Sequence, residues 1–392
     1  MTRASPKTSW KRSRPGSVRA NRPRPAFGRG SRARRLCTRG LASAALLLGL
    51  LSCRNTEVPV YTTQFNAFGG AVDLSIVGIQ RDRAATAAEA LERDFEFFDR
   101  ALFRDESDRM VRINEGLAAG ERFAAPPSLI PLIARTQDLS AQSGGLFDPT
   151  IGRLTHLWGV DVVQPAAHRP PDDTAIRQLL ETEPSMADID LDGIELHSRN
   201  PAVQLDFDSI ASAYAMDVAI DSLRRQGVRS AMINAGGDVR VIGNRSGRPW
   251  RVPVPRASGT GVLGILDVRG NVSLYTASAQ RRNFVYQGEV YHAVIDPRTG
   301  YPATAAASAT VLYEGDALTA AGAAHALMIA GPEQWPSIAE RMGIDYALVT
   351  DRDGNLHLSP AMDRTLNLLD ANTERSIHPL SKEQTRPSDP RR

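Results

Sequence analysis

The sequence predicts an α+β domain in which mixed antiparallel sheets pack against helices. Three observations carry that prediction. β-rich segments come in neighbouring runs joined by short Gly/Asp turns, long segments repeat apolar residues at helical spacing, and hairpins and helices mix without the regular strand–helix alternation of a doubly wound sheet. No internal repeat is evident, and the residues after the leader fit one globular unit with insertions.

Taken in order, Phe65–Val77 reads as a strand and Arg81–Ala101 as a helix, with an apolar stripe through Ala88, Leu91, Phe95 and Phe98. Ser128–Ser143 is a second helix, opened by a proline pair and closed by Gly144-Gly145. Val162–Asp173, rich in proline and small residues, is an excursion, and Ile189–Leu205 holds short strands between turns. Ser209–Gln226 is a helix, with Ile210, Ala213, Tyr214, Asp217 and Ile220 at helical spacing and Gly227 to cap it. Strands follow at Ser230–Asn234, Val239–Ile242, Gly264–Val268, Val272–Tyr275 and Tyr291–Ile295. Thr319–Ala330 and Pro332–Arg341 are helices, and a hairpin turns around Asp351–Asn355. The tail from 373 to 392 is polar and proline-containing and is expected to be loose.

The net charge of +3 joins two unlike materials. Residues 1–40 hold 13 Arg or Lys and no acid; residues 41–52 carry no charge; the rest, from Cys53, holds 34 basic and 44 acidic side chains, a balance of −10. A nucleic-acid partner loses its main support, because the positive charge is confined to one end. Leu41–Leu51 is apolar but well short of the roughly 20 residues that span a bilayer, and after Arg34, Arg35 and Arg39 it reads as the core of an export signal. Leu50-Leu51-Ser52-Cys53 resembles a bacterial lipobox, so residues 1–52 are expected to be a leader and 53–61 a tether lipidated at Cys53. The chain would then sit in the bacterial cell envelope, lipid-anchored and facing the periplasm or exterior. Cys37 would leave with the leader, which removes any thiol pair.

Three Gly/Asp-rich turns concentrate the chemistry. In Ser143–Thr150 the glycines permit close ligand approach, and Asp148 could accept hydrogen bonds from a sugar or base; a purely structural turn explains the same residues. Asn234-Ala235-Gly236-Gly237-Asp238 joins two strands and could admit a phosphate near the backbone, without the context of a Walker or Rossmann motif. The third has His292 followed by Asp296-Pro297-Arg298-Thr299-Gly300-Tyr301-Pro302. His292 could manage a proton, and Arg298 could pair with a pyrophosphate or with Asp296.

In succession these motifs resemble the ApbE family, flavin transferases that cleave FAD and attach FMN through a phosphoester to a Thr of a target protein. The resemblance runs from about Phe65 to Gly331. Phe68-Gly69-Gly70 stands at an early Met-Gly-Thr motif, and Ser107 and Asn114 at a Ser-and-Asn segment. Ser143–Thr150, Asn234–Asp238 and His292 with Asp296–Pro302 match three family blocks in order. The resemblance implies one T-fold-related transferase domain over residues 62–372, with FAD as substrate, Mg2+ as cofactor, a target protein as acceptor and AMP as the leaving group. It implies flavin-nucleotide contacts at Phe68, Gly69, Asp148, Asn234, Ala235, Gly236, Gly237, Asp238, Thr276, His292, Asp296, Arg298 and Thr299, with His292 and Asp238 catalytic.

The departures are specific. Asp206–Tyr214 reads DFDSIASAY where the family resembles DLGGIAKGY, so Asp208 and Ser209 replace glycines and Ser212 replaces a lysine. TAS at Thr276–Ser278 stands for TSG. Where the family carries an Asp and a Thr that help bind magnesium, this chain has Ala321 and His325, leaving Asp316 and His325 as weaker metal candidates. Two expectations follow: a retained FMN transferase, or a catalytically degenerate, lipid-anchored flavin-binding or interaction homologue.

Overall fold

A β-hairpin begins the fold. β1 (Val60–Ala67) pairs antiparallel with β2 (Gly70–Val77) across Phe68 and Gly69, both in the left-handed region at φ 53° and 73°. The sequence predicts one strand here from its alternating, β-rich stretches, passing over the turn signal of Gly69-Gly70. The structure makes a two-residue turn instead. Phe68 is held in its left-handed conformation by an N–H donated to the Asp99 carboxylate (2.7 Å) and by edge-on contact with Phe95 (5.8 Å).

The computed structural model describes residues 59–102, 108–160 and 169–380, all in the unit Glu57–Arg392. The leader, Cys53 and most of the expected tether lie outside the described residues, as do Ser107 and the first seven residues of the Val162–Asp173 excursion. The tether expectation runs slightly long at its other end, since β1 starts at Val60.

After the hairpin come α1 (Arg81–Leu102), α2 (Asp108–Ala119), β3 (Phe123–Ala124), α3 (Ile130–Ser143), α4 (Gly152–Trp158) and α5 (Asp173–Leu180). β4 (Ile189–Asp192) and β5 (Glu195–Ser198) form a small sheet with β3, and α6 (Ala211–Arg225) follows. Then come β6 (Ser230–Ala235), β7 (Asp238–Ile242), β8 (Trp250–Pro255), β9 (Val262–Val268), β10 (Val272–Ser278), β11 (Asn283–Tyr286), β12 (Glu289–His292) and β13 (Ser308–Tyr313). α7 (Ala317–Met342), β14 (Tyr346–Thr350), β15 (Leu356–Leu358), α8 (Pro360–Thr365), β16 (Leu366–Leu368) and β17 (Arg375–Ile377) complete the described chain. β12 stops at His292, short of the expected Ile295.

Nine strands make the main sheet, in the order β1-β2-β6-β7-β10-β13-β14-β15-β17, antiparallel except for the last pair. Alternation along its strands sends side chains to two different cores. Ala309 and Val311 of β13 and Ala347 and Val349 of β14 join the core shared with α1, α3, α6 and α7. Leu312 and Leu348, beside them, join the core under β8, β9 and β16. The architecture is therefore three layers: helices, the nine-stranded sheet, and a small three-stranded sheet.

Two features define α7. α7 is kinked at Gly331 (φ 68°, ψ −177°), where the sequence predicts a break between two helices. Asp217 of α6 accepts from the N–H groups of Ala317 (2.8 Å) and Leu318 (3.0 Å) and pairs with the buried Arg240 of β7 (2.9 Å). The unpaired amides at the start of α7 are thereby satisfied from a neighbouring helix. The tail, expected to be loose from 373, stays ordered to residue 380: β17 adds a parallel strand beside β15 and Leu380 is buried.

Candidate active site

The β6–β7 turn is the floor of the site. Gly236 and Gly237 adopt φ 61° and 97°, giving the two-residue hairpin turn that only glycine enters without strain. Asn234 closes it by accepting from the Gly237 N–H (2.9 Å), so that amide is committed within the turn rather than open to a phosphate.

Asp238, the first residue of β7, is buried. Its carboxylate accepts from Arg281 (2.7 Å) and from the Thr276 N–H (3.2 Å), while Arg281 also reaches the Gly236 carbonyl (3.1 Å) and lies over the Tyr275 ring. Burial pushes the Asp238 carboxyl above the usual carboxylate range, and Arg281 opposes that shift. The Thr276 hydroxyl is bonded to that of Thr310 (3.0 Å).

These groups line a cleft of about 340 Å³ together with Phe68, Ala235, Ser209, Ser212, Arg282 and His325. A smaller cavity of about 50 Å³ continues from it past His325, Arg282 and Ser209 toward Phe147 and Asp148. The Tyr275 hydroxyl donates to the Ser209 carbonyl (2.6 Å), tying β10 to the segment that precedes α6.

Two further groups set the character of the cleft. The Nδ1–H of His325 donates to the Ala321 carbonyl (2.9 Å), and its ring sits against Tyr275 (5.7 Å) and Phe147 (6.4 Å). Burial brings its pKa down to about 4, so the imidazole is neutral at ordinary pH. Arg282 holds a left-handed backbone at φ 42°, a conformation costing on the order of 1–3 kcal/mol for a non-glycine residue. Its Nη1 is buried without a hydrogen bond, 3.7 Å from the Asp208 carboxylate.

Other residues named from the sequence lie outside the main cleft, Asp148 on the smaller cavity beside it. Both ring nitrogens of His292 are engaged by backbone: Nε2 donates to the Ala303 carbonyl (2.9 Å), and Nδ1 accepts from Val294 (3.3 Å). His292 faces a neighbouring cleft of about 380 Å³ with Tyr291 and Arg352. Asp148 already accepts from the Thr150 N–H (2.9 Å) and hydroxyl (2.6 Å), from Met186 (3.3 Å) and from Ser140 (3.4 Å), and serves as a brace between turn and helix. Asp296 takes the Arg298 guanidinium in a two-point grip (2.8 and 2.9 Å), the local pair that the sequence offered as one of two alternatives. The Thr299 hydroxyl accepts from the Tyr301 N–H (3.3 Å). Asp316 caps α7 by accepting from Thr319 (2.8 Å). It lies nine residues from His325, about 14 Å along the helix, so the two do not converge on one ion.

The model of the ApbE family matches residues 68–348, which include every residue named above for the main cleft. The chain belongs to the ApbE family. An FAD:protein FMN transferase of Rhodobacter capsulatus is 33% identical over 334 residues, 84% of this chain and 63% of that protein's length. The corresponding Vibrio cholerae protein is 28% identical over 259 residues, 64% of this chain and 75% of its own length. The crystal structure of the ApbE protein of Thermotoga maritima superposes with a TM-score of 0.71 at 27% identity, covering 78% of this chain and 99% of that one. The flavin transferase ApbE of Vibrio cholerae superposes at 0.67 and 25% identity, covering 79% and 100%. The expected α+β transferase fold is thus the observed one.

Arg281 and Arg282 are the ApbE cleft residues that motif reading undervalues. They stand just past a strand end, next to no glycine or histidine signature, and only the β10–β11 turn brings them over Asp238 and Asp208.

Proposed function

We propose that this ApbE protein binds FAD in the Asp238 cleft and transfers its FMN moiety to a hydroxyl of a target protein. The observation that carries the reading is the convergence of Asp238, Thr276, Arg281 and Arg282 on one cleft whose floor is the Asn234–Asp238 turn. In the transfer, the acceptor oxygen forms a bond to the FMN phosphorus and the bond from that phosphorus to the bridging oxygen breaks. AMP leaves with the bridging oxygen and takes up the hydroxyl proton. Phosphoryl transfer of this kind depends on positioning and on neutralising charge. The paired Arg281 keeps the Asp238 carboxylate from repelling the diphosphate.

Magnesium, which the family resemblance implies, does not fit the residues at its expected place. Ala321 offers no side-chain oxygen, and its carbonyl is taken by His325. A hard cation seeks several oxygen ligands, and among the described residues no three His, Cys, Asp or Glu side chains gather to hold a metal. That mismatch favours a second reading, a flavin-binding homologue that retains FAD without transferring FMN.

Incubation with FAD and target domains carrying an acceptor Thr separates the two. The expected result is a mass gain equal to FMN on the target; intact FAD recovered from the protein across a target panel would favour the second reading. Attachment to the cell envelope rests on Cys53 and the apolar segment before it. The precursor is expected to incorporate labelled fatty acid and fractionate with membranes, and Cys53→Ser to abolish both; label that persists in the variant would refute the anchor.

A further inference from the structure

We infer that the diphosphate of the bound nucleotide is held by the Arg282 guanidinium in place of a divalent metal ion, so that nucleotide binding by this chain is metal-independent. The inference rests on the flavin reading of the cleft.

Arg281 and Arg282 are adjacent in sequence but differ in commitment. Arg281 spends its donors on Asp238 and Gly236 and stacks over Tyr275, and so belongs to the frame of the site. Arg282 has a buried Nη1 with no hydrogen bond, and the carboxylate facing it, on Asp208, stands at 3.7 Å, beyond hydrogen-bond range. That buried nitrogen is left to the Asp208 ion pair without a hydrogen bond, whereas about a third of the side chain (32%) is exposed, so its other donors can meet an anion in the cleft. The planar guanidinium has five donors, so Asp208 can hold one edge of it while another meets phosphate oxygens.

The backbone directs this side chain deliberately. Arg282 is one of five non-glycine residues at positive φ among the described residues, and its carbonyl is fixed by the Ala293 N–H (3.0 Å). The guanidinium lines both the main cleft and the smaller cavity behind it, along with Ser209 and His325. Ser209, Ser212 and Ser278 add hydroxyls to the main cleft, and its carboxylates, Asp208 and Asp238, each face an arginine. This set neutralises and hydrogen-bonds a diphosphate. It does not build an oxygen cage for a metal.

Binding of FAD and of riboflavin, which lacks the diphosphate, is followed by flavin fluorescence with the full-length protein in chelator and in excess Mg2+. FAD affinity is expected to agree within about twofold between the two conditions, and Arg282→Met to weaken it by about 10- to 100-fold, the weight of a charge-assisted contact. Riboflavin affinity is expected to be unchanged in R282M, which also verifies that the variant is folded, and Arg282→Lys to recover part of the FAD loss. Tightening of FAD binding by Mg2+ of tenfold or more overturns the inference and leaves the flavin reading standing. Equal loss of FAD and riboflavin in R282M also overturns it, since Arg282 would then be shaping the cleft. Failure of the unmodified protein to bind either flavin removes the flavin reading and the inference together.

Discussion

His325 shows how one substitution changes the physics of a site. Its ring is enclosed by Tyr275, Phe147 and the start of its own helical turn, and burial keeps it neutral, with a pKa of about 4 against 6.5 when free. Because the unfolded chain binds this proton between about pH 6.5 and 4 and the folded chain does not, stability falls as pH drops through that window. The loss attributable to His325 is at most about 3 kcal/mol, reduced by whatever water the cleft admits. His292, also lowered by burial, acts with the same sign, whereas Asp238 and Asp148, raised by burial, act with the opposite one. Urea unfolding at pH 4.5 and 7.5 (values chosen to lie on either side of about pH 6) is therefore expected to show a smaller pH difference in His325→Gln than in the parent; an unchanged difference would mean the ring is solvated. At this scale the sequence is legible where a side chain meets its partner locally. Asp296 and Arg298, two positions apart, and Asn234 with Gly237 are of that kind. It is illegible where partners come from distant strands, as for Asp238 with Arg281 and Thr276.

Among the elements, α6 and α7 depend on one carboxylate. Asp217 receives two amides from the first turn of α7 and the guanidinium of the buried Arg240, and is itself largely buried. Asp217→Ala leaves Arg240 uncompensated inside the protein and is expected to cost about 3–5 kcal/mol, the range for breaking a buried pair. A thermal melt would register this as a large fall in Tm, and a shift near zero would show that water replaces the carboxylate. Gly331 is the second critical point. A Cβ there would lie 2.4 Å from that of Ala305, on a backbone that only glycine enters comfortably. Gly331→Ala is expected to destabilise by about 2–4 kcal/mol, again read from denaturant midpoints, because the clash and the backbone strain add. The long helices were legible because α1 and α6 carry apolar stripes at helical spacing. The first turn was missed although Gly69-Gly70 offers a turn signal, because the β-rich residues on both sides read as one run.

Across the whole molecule, the sheet runs from β1 at one edge to β17 at the other, so both ends of the described chain are edge strands. The C-terminal edge is more than a tail. His378 lies edge-on to Trp335 (5.6 Å) and bonds to His357 (3.1 Å), and Leu380 fills a buried position. Truncation after Thr373 is expected to cost about 2–4 kcal/mol through lost apolar burial, detectable as a lower urea midpoint. A truncated protein of unchanged stability would show that β17 only rests on the sheet. Polar composition concealed this, since Arg375–Ile377 is exposed throughout and holds its place by backbone pairing. The other edge has a different consequence, one of timing. β2 pairs with β1 immediately but with β6 only after more than 150 intervening residues have been made. Closing so long a loop is entropically slow, and contacts of high sequence separation delay folding. During synthesis the β1–β2 hairpin therefore stands with the inner edge of β2 unpaired, a strand surface open to pairing with other chains until β6 arrives.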